Sequence, residues 1–157
     1  MKATETVCFN IKTSWHAISR MYNTGGVDYD LTAASGFVIL NIDSDKGTPA
    51  TKIAPILGME ARSLTRMLKT MEEKGLIIKQ SDPKDKRMVR IFLTEAGKRK
   101  KDLVRLAVIA FNNVVRENIS EDKLNTFFEV IQKINEVVEN KAQMQNLKTQ
   151  IIYEKYV

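Results

Sequence analysis

Apolar residues recur every three or four positions from Glu5 to Asn23. Val7, Ile11, Trp15, Ile18 and Tyr22 fall on one stripe, which predicts a first helix that Thr24-Gly25-Gly26 ends. Thr32 is placed to cap a second helix running to Ile42, and the polar run Asp43-Ser44-Asp45-Lys46-Gly47 closes it. Thr48-Pro49 is expected to open a short third helix, with proline at the first helical position. Pro55 lies inside that segment, so the helix either kinks there or begins near Thr51. After a Gly58-Met59 turn, a fourth helix is predicted over Glu60 to Lys74, stopped by Gly75. Leu76 to Lys79 then reads as a short strand, and Val89, Ile91 and Leu93 alternate with Arg90 and Phe92 as a second strand should. Between them, residues 81–87 form a polar, proline-containing hairpin tip.

Thr94 can cap a fifth helix from Glu95 to Glu117, and Ser120 a sixth that begins at Glu121. The sixth carries a narrow seam of Leu124, Phe127, Phe128, Ile131, Ile134 and Val138. The fifth is apolar over more of its girth: Leu103, Leu106, Ala107, Ala110 and Val114 lie beside Val104, Val108, Phe111 and Val115. One neighbour cannot bury so wide a surface, so this helix is expected to pack on its own domain and on a second subunit. The tail 140–157 is rich in glutamine and lysine, yet Met144, Leu147 and Ile151 keep helical spacing, which suits packing. The pattern is therefore mainly α with a small β-hairpin, an α+β chain without internal repeats.

Its 157 residues suit one compact domain, or at most two very small ones. No stretch approaches the roughly 18 uncharged apolar residues of a membrane helix. The start Met1-Lys2-Ala3-Thr4-Glu5 has no signal-peptide core, so a cytoplasmic protein is expected. A single cysteine, Cys8, excludes an internal disulfide framework, and a single histidine, His16, excludes a two-histidine zinc motif. No P-loop or dinucleotide glycine pattern occurs, and no nucleophile has an evident base beside it. Neither a cofactor, a metal nor an enzymatic activity is expected.

Charge changes the picture more. The net charge is +6, but residues 60–101 hold thirteen Lys/Arg against six Asp/Glu, so the rest of the chain is slightly acidic. A solvated face explains such a focus as well as a surface facing a polyanion does. Placement on the predicted elements separates the two. On a helical wheel with Arg62 at zero, Arg66 lies near 40°, Lys69 near 340°, and Ser63 and Thr70 at about 100° and 80°. Leu64, Met67, Leu68 and Met71 gather on the other side, between about 140° and 240°. One face can bury while the other offers guanidinium, ammonium and hydroxyl groups to base edges in a major groove. The short helix and Gly58-Met59 turn just before it have helix-turn-helix spacing. The hairpin tip, with Lys84, Lys86 and Arg87 and no apolar residue, can reach phosphates or a narrow minor groove. Asp82 and Asp85 are expected to hold Arg87 or a neighbouring cation by ion pairing.

Ile53-Ala54, Leu57-Gly58-Met59, Ser63-Leu64-Thr65-Arg66, Glu72-Glu73-Lys74-Gly75-Leu76-Ile77, Asp82-Pro83-Lys84-Asp85-Lys86-Arg87 and Leu93-Thr94-Glu95-Ala96-Gly97 occur in the order and spacing of the MarR family. The chain resembles that family over about residues 31–101, and its helical flanks match in layout. The resemblance implies a winged helix-turn-helix protein: one MarR-like domain over 1–157, with a DNA-binding lobe at 31–94 and a helical dimerisation region at 1–30 and 95–157. It also implies a homodimer that binds a pseudo-palindromic double-stranded DNA operator and regulates transcription, as a repressor released by a small aromatic or anionic effector. By position, Arg62, Ser63, Thr65, Arg66 and Lys69 would face bases and phosphates, and Lys84, Lys86 and Arg87 would serve the wing. From the layout, an effector pocket is expected at Trp15, His16, Ser19, Phe37 and Met67.

The chain departs from the family pattern at Glu60, where a serine or threonine cap is common, and at Lys69-Thr70, where an acid and an arginine are common. Lys84 and Lys86 stand for the usual wing arginines and are less suited to bidentate contacts. Val7-Cys8-Phe9 is similar to a subgroup that senses organic hydroperoxides through an N-terminal cysteine, although Lys12 replaces that subgroup's tyrosine. A redox-sensing regulator acting through Cys8 is thus one alternative, and a winged-helix module that binds protein is another.

Overall fold

A computed structural model of the chain describes residues 2–24, 31–83 and 85–156, with side chains as far as Ile151. A 3₁₀ turn at Ala3–Glu5 precedes α1 (Val7–Thr24) and α2 (Ala33–Leu40). Then follow β1 (Thr48–Pro49), α3 (Ala50–Ile56), α4 (Ala61–Glu73), β2 (Ile77–Ser81) and β3 (Val89–Leu93). Three helices complete the chain: α5 (Glu95–Asn118), α6 (Glu121–Glu139) and α7 (Lys141–Tyr156). The expected helices and hairpin are present within a residue or two at most boundaries. The expected stop at Gly25-Gly26 lies outside the described residues. No described helix is long and apolar enough to cross a membrane.

Contacts divide the chain into two compact units, Met1–Ile109 and Ala110–Val157. In the first, a three-stranded antiparallel sheet of order β1-β3-β2 packs with α2, α3 and α4 around Val38, Ile39, Ile42, Ile53, Leu64, Leu68, Met71, Ile77, Ile91 and Leu93. Ile77 pairs with Leu93 and Lys79 with Ile91, so the two buried positions of β3 alternate inward as period-2 patterning requires. Thr48 and Pro49 are not the start of a helix. They pair with Ile91 and Arg90 as an edge strand, a position where the missing proline N–H costs no ladder bond. Pro49 occupies the N-cap position of α3 without a capping bond, and α3 continues through Pro55 to Ile56.

Two helix stops orient the lobe. After α3, Gly58 takes φ 58°, its N–H bonds the Pro55 carbonyl at 3.2 Å and the Met59 N–H reaches the Ala54 carbonyl at 2.9 Å. After α4, the Gly75 N–H bonds Glu72 and the Leu76 N–H bonds Met71, both at 2.9 Å. Both are Schellman motifs, which need a left-handed residue that glycine adopts without strain. The first sets α4 at a fixed angle to α3. The second drops Leu76 into the core against Met71, so β2 starts from a fixed point.

In the second unit, α6 and α7 pack on each other. Leu124 is buried, while Ile131, Ile134 and Met144 are half-buried. Ser120 stands at the N-cap of α6, as expected, but its hydroxyl makes no capping bond. Phe127 and Phe128 meet edge to face at 5.6 Å, yet both remain half exposed.

Candidate functional site

The α4 helix buries Leu64, Leu68 and Met71 and exposes Arg62, Ser63, Thr65, Arg66 and Lys69. Its N-cap Glu60 has extended backbone but makes no side-chain capping bond, so the N–H groups of the first turn are left open on the outer side. Thr65 Oγ1 donates to the Ala61 carbonyl at 2.8 Å, which leaves its hydroxyl oxygen to accept only. Lys69 lies 3.8 Å from Glu73, a loose surface pair of little energetic weight. Among the described residues, no carboxylate pairs with Arg62 or Arg66. Their guanidinium groups therefore stand in water on a rigid rod, with their donors uncommitted.

The hairpin between β2 and β3 is the second cationic element. Asp85 Oδ1 accepts the backbone N–H of Arg87 at 2.9 Å, and the Asp85 carbonyl accepts the Met88 N–H at 2.9 Å. These bonds hold the chain in a turn that exposes Lys86 and Arg87. Lys84 lies outside the described residues. The expected ion pairing is divided between the two acids: Asp85 fixes the backbone of Arg87 and leaves its guanidinium free of carboxylates among the described residues. Asp82 is 2% exposed and pairs with Arg90 instead, at 2.7 Å. Arg90 was legible only as one cation among thirteen. The signal that could have singled it out is register: Gln80 faces Arg90, so Asp82 is its diagonal neighbour across the hairpin.

A separate, shallow cleft lies between α1, α2 and the first half of α5, with a cavity volume of about 30 Å³ and an opening to solvent. Tyr22, Leu31, Gly36, Phe37, Val104 and Val108 are among its lining residues, which are overwhelmingly apolar. Burial raises the Tyr22 phenol above its usual value. Of the residues expected to form a pocket, Phe37 lines the cleft and Trp15 meets Phe37 at 5.5 Å with the rings tilted by 51°. Ser19 is half-buried, with a hydroxyl that has no hydrogen-bond partner among the described residues. His16 is exposed, and Met67 packs against the core under α4 rather than on the cleft. The sequence pattern did not distinguish Tyr22, Leu31, Val104 and Val108 from ordinary packing residues, because a cleft wall and a core face share one periodicity. Cys8 is exposed on α1. No group of three metal-ligating side chains occurs among the described residues.

The MarR family model matches residues 31–89, the segment that holds α2, the helix-turn-helix and most of the hairpin. The HTH-type transcriptional regulator SarZ of Staphylococcus aureus (strain MRSA252) is 33% identical over 116 residues, which cover 73% of this chain and 76% of SarZ. The chain belongs to the MarR family. Among solved structures, the PcaV transcriptional regulator of Streptomyces coelicolor, in complex with its natural ligand, has a TM-score of 0.77 and 18% identity, covering 88% of this chain and 98% of PcaV. A MepR–DNA complex from S. aureus has a TM-score of 0.76 and 18% identity, covering 83% of this chain and 97% of MepR. At these identities the structural likeness establishes the fold, a winged helix-turn-helix flanked by helices. As a MarR-family member, the chain is a transcriptional regulator.

Proposed function

We propose that this regulator acts in the cytoplasm as a homodimeric repressor that binds a pseudo-palindromic operator, with α4 as recognition helix and the β2–β3 hairpin as wing. The observation that carries the reading is the two-sided α4. Its inner face is locked in the core, and its outer face presents Arg62 and Arg66, without protein partners among the described residues, beside Ser63 and Thr65. An arginine with free donors reads guanine through O6 and N7. Arg87 and Lys86 on the tip suit phosphates or the narrow minor groove next to it, and Lys84 belongs to the same segment. Exposed apolar residues on α1, on α5 and on α6 supply what a subunit interface needs, among them Trp15, Leu106, Phe127 and Val138. On this reading residues 31–94 are the DNA-binding lobe and the flanking helices join the subunits.

The cleft beside Phe37 is the effector site of this reading, and its apolar walls favour an aromatic ligand. PcaV was solved with its natural ligand and MepR with DNA, in keeping with both halves of the proposal. Binding to a selected duplex, measured by fluorescence anisotropy against salt, tests it. Arg66→Ala is expected to cost about 1–3 kcal/mol and to blur sequence preference. Arg87→Ala should weaken all sequences alike and lower the salt slope by about 1. Parent-like binding by both variants refutes the assignment.

A further inference from the structure

The Asp82–Arg90 pair carries an inference that rests on the wing reading above and deepens it. Arg90 sits on β3, and four of the five donors of its guanidinium are engaged inside the protein. Nε donates to Asp82 Oδ2 at 2.8 Å, and Nη2 lies 2.7 Å from the same oxygen. Nη1 donates to the Lys46 carbonyl at 3.0 Å and the Gly47 carbonyl at 3.1 Å, in the turn between α2 and β1. Asp82 is nearly inaccessible, and its backbone N–H closes the hairpin on the Met88 carbonyl at 2.8 Å. The turn that receives Arg90 is itself held. Asp43 Oδ1 accepts the Lys46 and Asp45 N–H groups at 2.8 and 2.9 Å, and Lys101 Nζ donates to the Ile42 carbonyl at 2.6 Å.

We infer that Asp82 and Arg90 are positioning residues for DNA binding: they tie the base of the wing to the α2–β1 turn and so fix where Arg87 is presented, without touching DNA themselves. Four of the five Arg90 donors are committed within the lobe, and Asp82 is too enclosed to touch a phosphate. A two-stranded ribbon on its own is marginally stable, so a fixed tip needs an anchor at its base. The pair supplies that anchor through one carboxylate oxygen and two backbone carbonyls on another segment.

The sign of one substitution separates this from plain electrostatics. Asp82→Asn removes a negative charge from a DNA-facing element, and charge alone would tighten binding. Positioning predicts weaker binding, bounded by the contact that Arg87 makes. One phosphate contact contributes about 0.9 log units at 0.1 M salt relative to 1 M, or about eightfold. The test uses the full chain and a duplex selected by the parent from a random pool, with anisotropy titrations at several salt concentrations. Asp82→Asn is expected to weaken binding by up to about eightfold and to lower the salt slope by up to 0.9 although no cation is lost. In an Arg87→Ala background it should add no further loss. Arg90→Lys keeps the charge but cannot form the four bonds, and it should weaken binding in the same way. It also carries the test should thermal unfolding show that Asp82→Asn is not folded at the assay temperature. If Arg87→Ala weakens binding while the folded Asp82→Asn or Arg90→Lys variant binds like the parent or tighter, the positioning role is overturned. If Arg87→Ala itself binds like the parent, the wing reading falls and takes this inference with it.

Discussion

Gly97 is where the first turn of α5 meets the start of β2, and replacing it with alanine tests the packing that holds the wing to the lobe. A Cβ at this position would stand 2.0 Å from the Leu76 carbonyl oxygen, 3.1 Å from the Leu76 carbonyl carbon and 3.3 Å from Leu93 Cδ2. The nearest atom is backbone and cannot rotate away. Relief requires α5 to retreat by more than about 1 Å, since carbon and oxygen need roughly 3 Å or more. That retreat strains three bonds: Thr94 N–H to the Leu76 carbonyl at 3.0 Å, Thr94 Oγ1 to the Gly75 carbonyl at 2.6 Å, and Gly97 N–H to Thr94 Oγ1 at 3.0 Å. Overpacking costs about 1–3 kcal/mol and one weakened hydrogen bond about 1. The better helix propensity of alanine offsets up to about 1 kcal/mol. With that offset taken in full, the net expectation is a loss of about 1–3 kcal/mol. In a urea titration at fixed protein concentration, with a slope of about 2 kcal/mol per molar, the midpoint should fall by about 1 M. A Gly97→Ala chain as stable as the parent would refute the reasoning. It would mean that Thr94 and Gly97 do not seat α5 on Leu76, and that Leu93-Thr94-Glu95-Ala96-Gly97 has no such physical basis.

Two further outcomes follow from the same geometry. Leu106 is 63% exposed on α5, and Leu106→Glu should weaken a dimer by more than about 100-fold, because a two-fold interface counts each lost apolar contact twice. Light scattering at micromolar concentration reads the change, and an unchanged mass rules Leu106 out of the interface. The Asp43 carboxyl is held below its usual value by the backbone N–H of Lys46 and then that of Asp45. A carboxyl with a lowered folded pKa stabilises above its unfolded value near 4 and loses that stabilisation as pH falls through the folded value. The stability gap between the parent and Asp43→Asn should therefore be constant above about pH 5 and shrink toward pH 3. A gap that does not change with acid contradicts this.

The parts of the fold readable from the chain are those where local chemistry and tertiary packing agree. Gly58 and Gly75 mark helix stops by backbone geometry alone, and Leu64, Leu68 and Met71 show the buried face of α4 by spacing. Thr48-Pro49 was misread because two residues have no periodicity, and only pairing with Ile91 and Arg90 makes them a strand. Proline in that setting signals a helix start and an edge strand equally well. The basic face of the candidate interface was legible because charge and wheel position coincide on Arg62 and Arg66. Arg90 was not, since its partner Asp82 and the carbonyls of Lys46 and Gly47 are brought to it by strand register and by a turn more than forty residues away. The cleft was legible only in part: Phe37 was expected at a pocket, but Tyr22 and Val104 were not, because they come from two other helices and no single helix shows that a gap lies between them.

Selection of duplexes from a random pool by the purified chain in dilute buffer is the most direct measurement of DNA recognition. The account predicts enrichment of a pseudo-palindrome whose half-sites lie about one helical turn apart, with affinity that falls steeply with salt. A chain that retains no duplex from that pool, even at low ionic strength, would contradict it.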